Sequence, residues 1–174
     1  GEEAEALAAA GIACDTVPGI SAAQGAAAAT GIPLTHRDHA AMLVFATGHL
    51  QGEEGERTVA LDWAALARPH QTVVIYMGVG TLPIICAQLI AHGLPASTPA
   101  AMIERATLPG QRSIVGTLQT LPQLSVAYGV NPPALVMIGD TVALHARIGS
   151  SAEVLTGFPA VVDAASPQAL ACTA

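Results

Sequence analysis

One run of residues limits the fold of this chain more than any other: residues 72–77, with the sequence TVVIYM. The run is continuous in apolar and β-branched side chains, which indicates a buried strand. An apolar-faced helix at residues 82–92 is predicted to follow it, after Gly78-Val79-Gly80. A buried strand beside a helix of this kind predicts an α/β layered domain.

Helices and strands alternate along the rest of the chain. The other predicted strands are residues 12–17, 42–47, 99–104, 112–118 and 134–138. The predicted helices are residues 2–10, 21–29, 62–67, 82–92, 121–127 and 142–148. Because helices separate most of the strands, the fold class is predicted as α/β, with ligands expected at the strand ends.

The charged residues narrow the classes of function. All six cationic side chains are arginines, and no lysine occurs in the sequence. This excludes a phosphate-binding loop lysine, a kinase strand lysine and a Schiff-base lysine within this chain. The net charge of −7 and the lack of a basic stripe also argue against a nucleic-acid partner.

The cysteines and the chain ends bear on the cellular context. Cys14, Cys86 and Cys172 are far apart and form no CxxC pair, which favours a reduced, cytoplasmic protein. No apolar run reaches the length of about 18 residues that a membrane span needs, and no signal sequence opens the chain. The chain begins at Gly1 without a methionine, so a fragment of a longer protein is expected.

The run GIPLTHRD at residues 31–38 contains the His-Arg-Asp of kinase catalytic loops. A kinase would place an asparagine five residues after Asp38, where this chain has Leu43, and would carry an Asp-Phe-Gly motif that is missing. His36 and His39 flank Asp38 and could begin a metal site. Since no third ligand is near in sequence, a loop histidine paired with a carboxylate is favoured.

Two glycine-containing turns admit more than one interpretation. GISAA at residues 19–23 follows a predicted strand like a hydrolase nucleophile elbow, but its second glycine is replaced by Ala23. Helix capping explains Ser21 without catalysis. The Gly78-Val79-Gly80 turn lacks the third glycine of a dinucleotide loop and has Pro83 in its place. It still permits close approach of a ligand to the backbone.

Six short motifs occur along the chain in an order that indicates a family. These are VPGISAA (residues 17–23), GIPLTHRD (31–38), FATGH (45–49), VVIYMG (73–78), IERAT (103–107) and ALVMIGDTVAL (134–144). Together they resemble the S-adenosylmethionine-dependent tetrapyrrole methylases over residues 1–148. GIPLTHRD with TGH is most similar to the members that methylate uroporphyrinogen III.

The resemblance implies a tetrapyrrole methylase fold, with the methyl donor in a cleft between two α/β lobes. Residues 1–30 would be the end of the N-terminal lobe and the inter-lobe helix, residues 31–148 the C-terminal lobe, and residues 149–174 a disordered tail. The remainder of the N-terminal lobe is expected to precede this sequence. The family's general acid and base would lie there, so no catalytic residue is assigned in this chain.

By the same resemblance, Ser21, Ala22, Met77 and Ala106 would line the binding site of S-adenosyl-L-methionine. Free N–H groups at a helix start can hold polar ligand atoms. A methionine can pack on adenosine. Ala106 stands where some members of the family have glycine, and its small side chain should still let the donor approach the backbone.

The implied acceptor, uroporphyrinogen III, is a macrocycle with many carboxylates, so an acidic protein must concentrate cations near it. Arg37, Arg105 and Arg112 are the candidates, because guanidinium pairs with carboxylate in a two-pronged geometry. Arg37 is the residue predicted to bind the acceptor, although each arginine could also be a structural ion pair.

The implied activity is C-methylation of uroporphyrinogen III to precorrin-2, in sirohaem or cobalamin biosynthesis. The resemblance implies no metal, and it implies a homodimer in the cytoplasm. Two alternatives stay open. One is another precorrin methyltransferase of cobalamin biosynthesis, and the other is a non-catalytic α/β fragment.

Overall fold

The computed structural model describes residues 1–50, 58–148 and 153–157. The strands are β1 (Met42–Thr47), β2 (Gln71–Tyr76), β3 (Pro99–Glu104), β4 (Arg112–Thr117), β5 (Ala134–Ile138) and β6 (Glu153–Thr156). The helices are α1 (Glu2–Ala9), α2 (Ala22–Thr30), α3 (Trp63–Leu66), α4 (Leu82–Ala91), α5 (Leu121–Ala127) and α6 (His145–Ile148). A 3-10 turn over Asp140–Leu144 leads into α6.

The strands form one mixed sheet in the order β1-β2-β5-β3-β4-β6. β1 is parallel to β2, and both β2 and β3 are antiparallel to the β5 strand between them. β1, β2 and β3 therefore run in one direction and end at the same edge of the sheet. We call this the upper edge, marked by Thr47, Tyr76 and Glu104, and the opposite edge the lower edge.

Helices cover both faces of the sheet, as the buried central strand requires. On one face, α3, α4 and α5 pack on alternate strand residues such as Val73 and Ile75. On the other face, α2 packs its alanines Ala23 and Ala26 on Val74. Because successive strand residues point to opposite faces, β2 buries the consecutive apolar side chains Val73, Val74 and Ile75. This confirms the predicted α/β fold class and its central strand.

Helix α2 has a well-defined start and end. Ser21 is its N-cap, and the Ser21 and Gln24 side chains form a reciprocal capping box. Gly31 ends the helix with φ of 70°, a left-handed conformation that glycine adopts without a steric penalty. Nine residues lie between these caps, so α2 carries the chain from the upper edge to the lower edge.

Two predictions are corrected by the structure. Residues 12–17 do not form a strand, and Ile12 and Val17 are exposed there. Among the described residues no strand pairs with this segment, and an unpaired strand leaves its backbone groups without partners. The prediction of a disordered tail is wrong at residues 153–156, because these residues form β6 and pair in parallel with β4. The rest of that predicted tail lies outside the described residues.

Two smaller points concern the connections. The helix predicted at residues 142–148 is a 3-10 turn followed by the short helix α6. A polar, acidic loop is also predicted from the sequence at residues 48–61, and its residues 51–57 lie outside the described residues. In the part of the chain that the structure describes, no helix has the length and apolar character of a membrane span.

The buried face of α4 gives a chemical test of the fold. Cys86 is 2% exposed, and burial raises the pKa of its thiol to about 12, from an ordinary value of 9.0. Because the thiolate is the reacting form, its fraction near pH 8 falls roughly a thousandfold. Cys14 is exposed. We expect iodoacetamide at pH 8 to alkylate Cys86 at least about a hundredfold more slowly than Cys14 in the native protein.

Peptide mapping by mass spectrometry measures the two alkylation rates separately. In urea the rates should become equal, which is the control for intrinsic reactivity. Equal rates in the native protein would contradict the packing of α4 on the sheet.

Candidate functional site

A cleft of about 580 Å³ opens at the upper edge of the sheet. Its walls are the residues that follow β2, the end of β3 with the turn after it, residues 132–135 at the start of β5, and Ala22 at the start of α2. The cleft therefore lies at the carboxyl ends of two parallel strands separated by an antiparallel one. Ligands are expected at such strand ends in α/β proteins.

The backbone turns sharply where β2 and β3 leave the sheet. Met77 and Arg105, the residues directly after these strands, have φ of 53° and 51°. Side-chain-bearing residues adopt this left-handed conformation uncommonly. The Arg105 N–H donates to the Pro133 carbonyl at 2.9 Å, which holds the turn after β3 against the start of β5. Strained backbone of this kind concentrates at functional sites.

Two glycines make the ends of β1 and β2 approach each other closely. The Gly48 N–H donates to the Tyr76 carbonyl at 2.7 Å, and the Thr81 hydroxyl donates to the Gly48 carbonyl at 2.8 Å. A Cβ on Gly48 would lie 2.9 Å from the Cα of Gly78. This packing explains the glycines of the FATGH and VVIYMG motifs without a dinucleotide.

The first turn of α2 presents one open hydrogen-bond donor beside the cleft. The Ser21 N–H donates to Gln24 Oε1 at 2.9 Å, and the Gln24 N–H donates to Ser21 Oγ at 3.4 Å. The Ala23 N–H donates to the phenol oxygen of Tyr76 at 3.1 Å. Among the described residues, the Ala22 N–H has no partner. Since Ala22 lines the cleft, this N–H is available to a polar ligand atom.

The structure brings together three of the four residues predicted for the donor site. Ala22, Met77 and Ala106 all line the cleft, from three different elements. Ser21 is not in the cleft wall, and its hydroxyl is used in capping α2. Their role in binding a donor stays a prediction.

Arg37 is not brought to this cleft. It is exposed in the loop after Gly31, where α2 has reached the lower edge. The Ala41 N–H donates to the His70 carbonyl at 3.0 Å, which ties this loop to the start of β2 at the lower edge. Arg37 therefore lies beyond the C-terminal end of α2, at the edge of the sheet opposite the cleft.

The two histidines beside Arg37 contact each other, with ring centroids 4.7 Å apart. The Asp38 N–H donates to His36 Nδ1 at 3.2 Å, and the Asp38 carboxylate lies 3.9 Å from the same nitrogen. Among the described residues, no group of three or more His, Cys, Asp or Glu side chains is arranged to hold a metal ion. The contact between His36 and the backbone of Asp38 favours a structural loop over a metal pair.

The other two candidate arginines differ in position. Arg105 is exposed and lines the cleft. Arg112 forms an ion pair with Glu104, whose Oε2 accepts from Arg112 Nε at 2.7 Å. Arg112 also donates to the Tyr128 carbonyl at 3.0 Å. Arg112 is therefore a structural residue, whereas Arg105 is the arginine that the described part of the chain places in the cleft wall.

Sequence reasoning missed two residues that shape the cleft, Glu104 and Tyr76. Glu104 is 6% exposed, and its Oε1 accepts from the Asn131 N–H at 3.0 Å, beside Pro132 and Pro133 of the cleft wall. A lone acidic residue at the end of the apolar strand PAAMIE was the available signal, because buried carboxylates need partners. For Tyr76 the available signal was a tyrosine at the end of an aliphatic strand, because a buried tyrosine hydroxyl usually forms a hydrogen bond.

Comparison with known proteins gives a family. The sequence model of the family described as Tetrapyrrole (Corrin/Porphyrin) Methylases matches residues 1–122. The siroheme synthase of Nitrosospira multiformis is 52% identical over 148 residues, which cover 85% of this chain and 30% of that protein. The chain thus spans less than a third of the length of this relative.

Two solved structures are similar to the fold. The native uroporphyrin III C-methyl transferase from Thermus thermophilus has a TM-score of 0.68 and is 31% identical, covering 82% of this chain and 58% of that one. The same enzyme complexed with S-adenyl homocysteine has a TM-score of 0.66 and is 32% identical, covering 82% of this chain and 60% of that one.

Proposed function

Because the chain belongs to the tetrapyrrole methylase family, we propose that its upper-edge cleft is one side of the S-adenosyl-L-methionine site of a tetrapyrrole methyltransferase. The observation that carries the proposal is the convergence of Ala22, Met77 and Ala106 on that cleft. When bound, S-adenosyl-L-methionine supplies an electrophilic methyl group.

The residues of the cleft fit such a donor. The exposed Met77 side chain and Leu108 offer apolar contact for a flat ring system. The Ala22 N–H can donate to a polar atom of the ligand, and the small side chain of Ala106 leaves the backbone accessible. These groups bind and orient the donor, and the apolar walls exclude water from it.

The acceptor that we propose is uroporphyrinogen III, methylated on carbon to precorrin-2. Support comes from the relatives, which are a siroheme synthase and uroporphyrin III C-methyl transferases. A substrate rich in carboxylates needs a cation at the cleft, and Arg105 offers a guanidinium there. We propose Arg105 for this role in preference to Arg37, because Arg105 lines the cleft and Arg37 lies at the lower edge.

The test uses the complete polypeptide that contains this sequence. Calorimetric titration with S-adenosylhomocysteine measures donor binding, and formation of precorrin-2 from uroporphyrinogen III measures the reaction. We expect saturable binding and turnover. Absence of binding overturns the donor site, whereas binding without turnover of uroporphyrinogen III leaves the site in place and directs the search to other precorrin substrates.

Three arginine variants separate the acceptor assignments. We expect Arg105→Gln to raise the KM for uroporphyrinogen III roughly tenfold, because a charge-assisted hydrogen bond to a carboxylate is lost. Arg37→Gln and the control Arg68→Gln, both exposed near the lower edge, should leave this KM unchanged. A rise for Arg37→Gln alone would restore the assignment made from the sequence.

The homodimer and the cytoplasmic location implied by the resemblance remain predictions. Sedimentation of the complete polypeptide at several concentrations measures the oligomeric state.

A further inference from the structure

The phenol of Tyr76 joins the two elements that flank the cleft. Tyr76 ends β2, and its oxygen accepts from the Ala23 N–H in the first turn of α2 at 3.1 Å. We propose that Tyr76 is a positioning residue of the donor site. Its hydrogen bond holds the start of α2 so that the Ala22 N–H and the Met77 side chain face the same ligand. The inference rests on the proposed function of the cleft.

Apart from this bond, the start of α2 has no other side-chain hydrogen bond to the rest of the described chain. The segment that enters the helix is exposed, with Val17 at 87% and Ile20 at 84%. Within the described residues, Tyr76 is the one side chain from outside α2 that hydrogen-bonds to its first turn. Alanine methyl groups supply the remaining contact, which involves small areas. The Tyr76 oxygen is therefore the directional contact between the sheet and the first N–H groups, whereas apolar packing has no preferred direction.

The ring of Tyr76 is itself held in place. It lies against Phe45 of β1, with ring centroids 6.0 Å apart and an edge-to-face angle of 76°. Aromatic pairs favour this geometry. The backbone of Tyr76 pairs with Thr47 of β1, so both the backbone and the ring of Tyr76 are held by β1. The sheet thus fixes the position of the helix start through one oxygen atom.

The bond also determines how many donors the helix offers to a ligand. With the Ala23 N–H occupied, the first turn presents the Ala22 N–H alone. In Tyr76→Phe, two adjacent N–H groups lack a partner and compete for ligand and water. Phenylalanine keeps the ring and its contact with Phe45, so the variant removes the tether while the packing stays.

The experiment compares Tyr76→Phe with Tyr128→Phe in the complete polypeptide. Tyr128 is the second of the two tyrosines, and it packs on the opposite face of the sheet, with α4 and α5. We expect Tyr76→Phe to raise the Kd of S-adenosylhomocysteine roughly five- to tenfold. The KM for S-adenosyl-L-methionine should rise similarly, with kcat at saturating donor changed by less than about twofold.

A second measurement reports positioning directly. In the unliganded protein, hydrogen–deuterium exchange at the start of α2 should accelerate roughly fivefold in Tyr76→Phe, because the Ala23 N–H has lost its acceptor. Tyr128→Phe should leave the Kd, the KM and this exchange rate unchanged.

Each result decides a specific point. An unchanged Kd, with or without a lower Tm, would mean that Tyr76 is merely structural and would overturn the inference. A raised Kd with unchanged exchange would mean that the phenol contacts the ligand itself, which overturns the positioning role. If the unmodified protein does not bind S-adenosylhomocysteine, the proposed function fails first and the inference falls with it.

Discussion

Replacing Met77 with aspartate is expected to weaken binding of S-adenosylhomocysteine by at least about a hundredfold. Met77 is 62% exposed and projects from the end of β2 into the cleft wall. An aspartate there removes the apolar contact for the adenosine ring and adds a carboxylate that binding would strip of water. Calorimetric titration of the complete polypeptide measures the loss.

The fold should tolerate this change. Met77 has φ of 53°, and aspartate adopts the left-handed conformation more readily than most residues. We therefore expect the free energy of unfolding to change by less than about 0.5 kcal/mol. Met42→Asp is the matched control, because Met42 is 48% exposed at the lower edge of β1. Equal affinities for the two variants and the unmodified protein would show that the donor binds elsewhere.

Replacing Glu104 with alanine is expected to lower the free energy of unfolding by about 3 kcal/mol. The Glu104 carboxylate is buried and accepts hydrogen bonds from Arg112 and from the Asn131 N–H. Removing it leaves a partly buried guanidinium and a backbone donor without their partner. Urea unfolding followed by circular dichroism measures the change.

Two further variants make this result specific. Glu104→Gln keeps an acceptor for the Asn131 N–H but loses the charge, so about half of the loss, roughly 1.5 kcal/mol, is expected. Asp140→Ala removes an exposed carboxylate that has no ion pair within the described residues, and it should change stability by less than about 0.5 kcal/mol. A loss of that small size for Glu104→Ala would contradict the buried ion pair.

The apolar strands could be predicted from the sequence because burial on both faces leaves a continuous signature. β3 and β5 have the predicted bounds, and β2 differs by one residue at each end. The candidate site residues came instead from the family resemblance. Met77 and Ala106 lie in the same cleft because β2 and β3 end at the same edge of the sheet.

Other features depend on contacts between segments that are distant in sequence. The segment at residues 12–17 has the composition of a strand, but a strand also needs a neighbour. Residues 153–156 are part of a small-residue stretch, and they become β6 because β4 offers an open edge. Neither outcome can be deduced from local composition.

Arg37 shows how sequence proximity can mislead. Only 15 positions separate it from Ala22, and both belong to motifs that resemble one family. The nine residues of α2 rise by about 13 Å, so the two positions lie at opposite edges of the sheet. A motif can identify a family through residues that are remote from the cleft.

The strand order has a consequence for how this protein is made. β5 lies between β2 and β3, the two strands whose ends form the cleft, although it is synthesised after both. Until about residue 138 has left the ribosome, these two strands have no partner that joins them, and the cleft does not exist. The region matched by the family model ends at residue 122, before β5 begins. The fifth strand to be synthesised therefore completes the cleft, and a nascent chain cannot form the cleft before most of its sheet has been made.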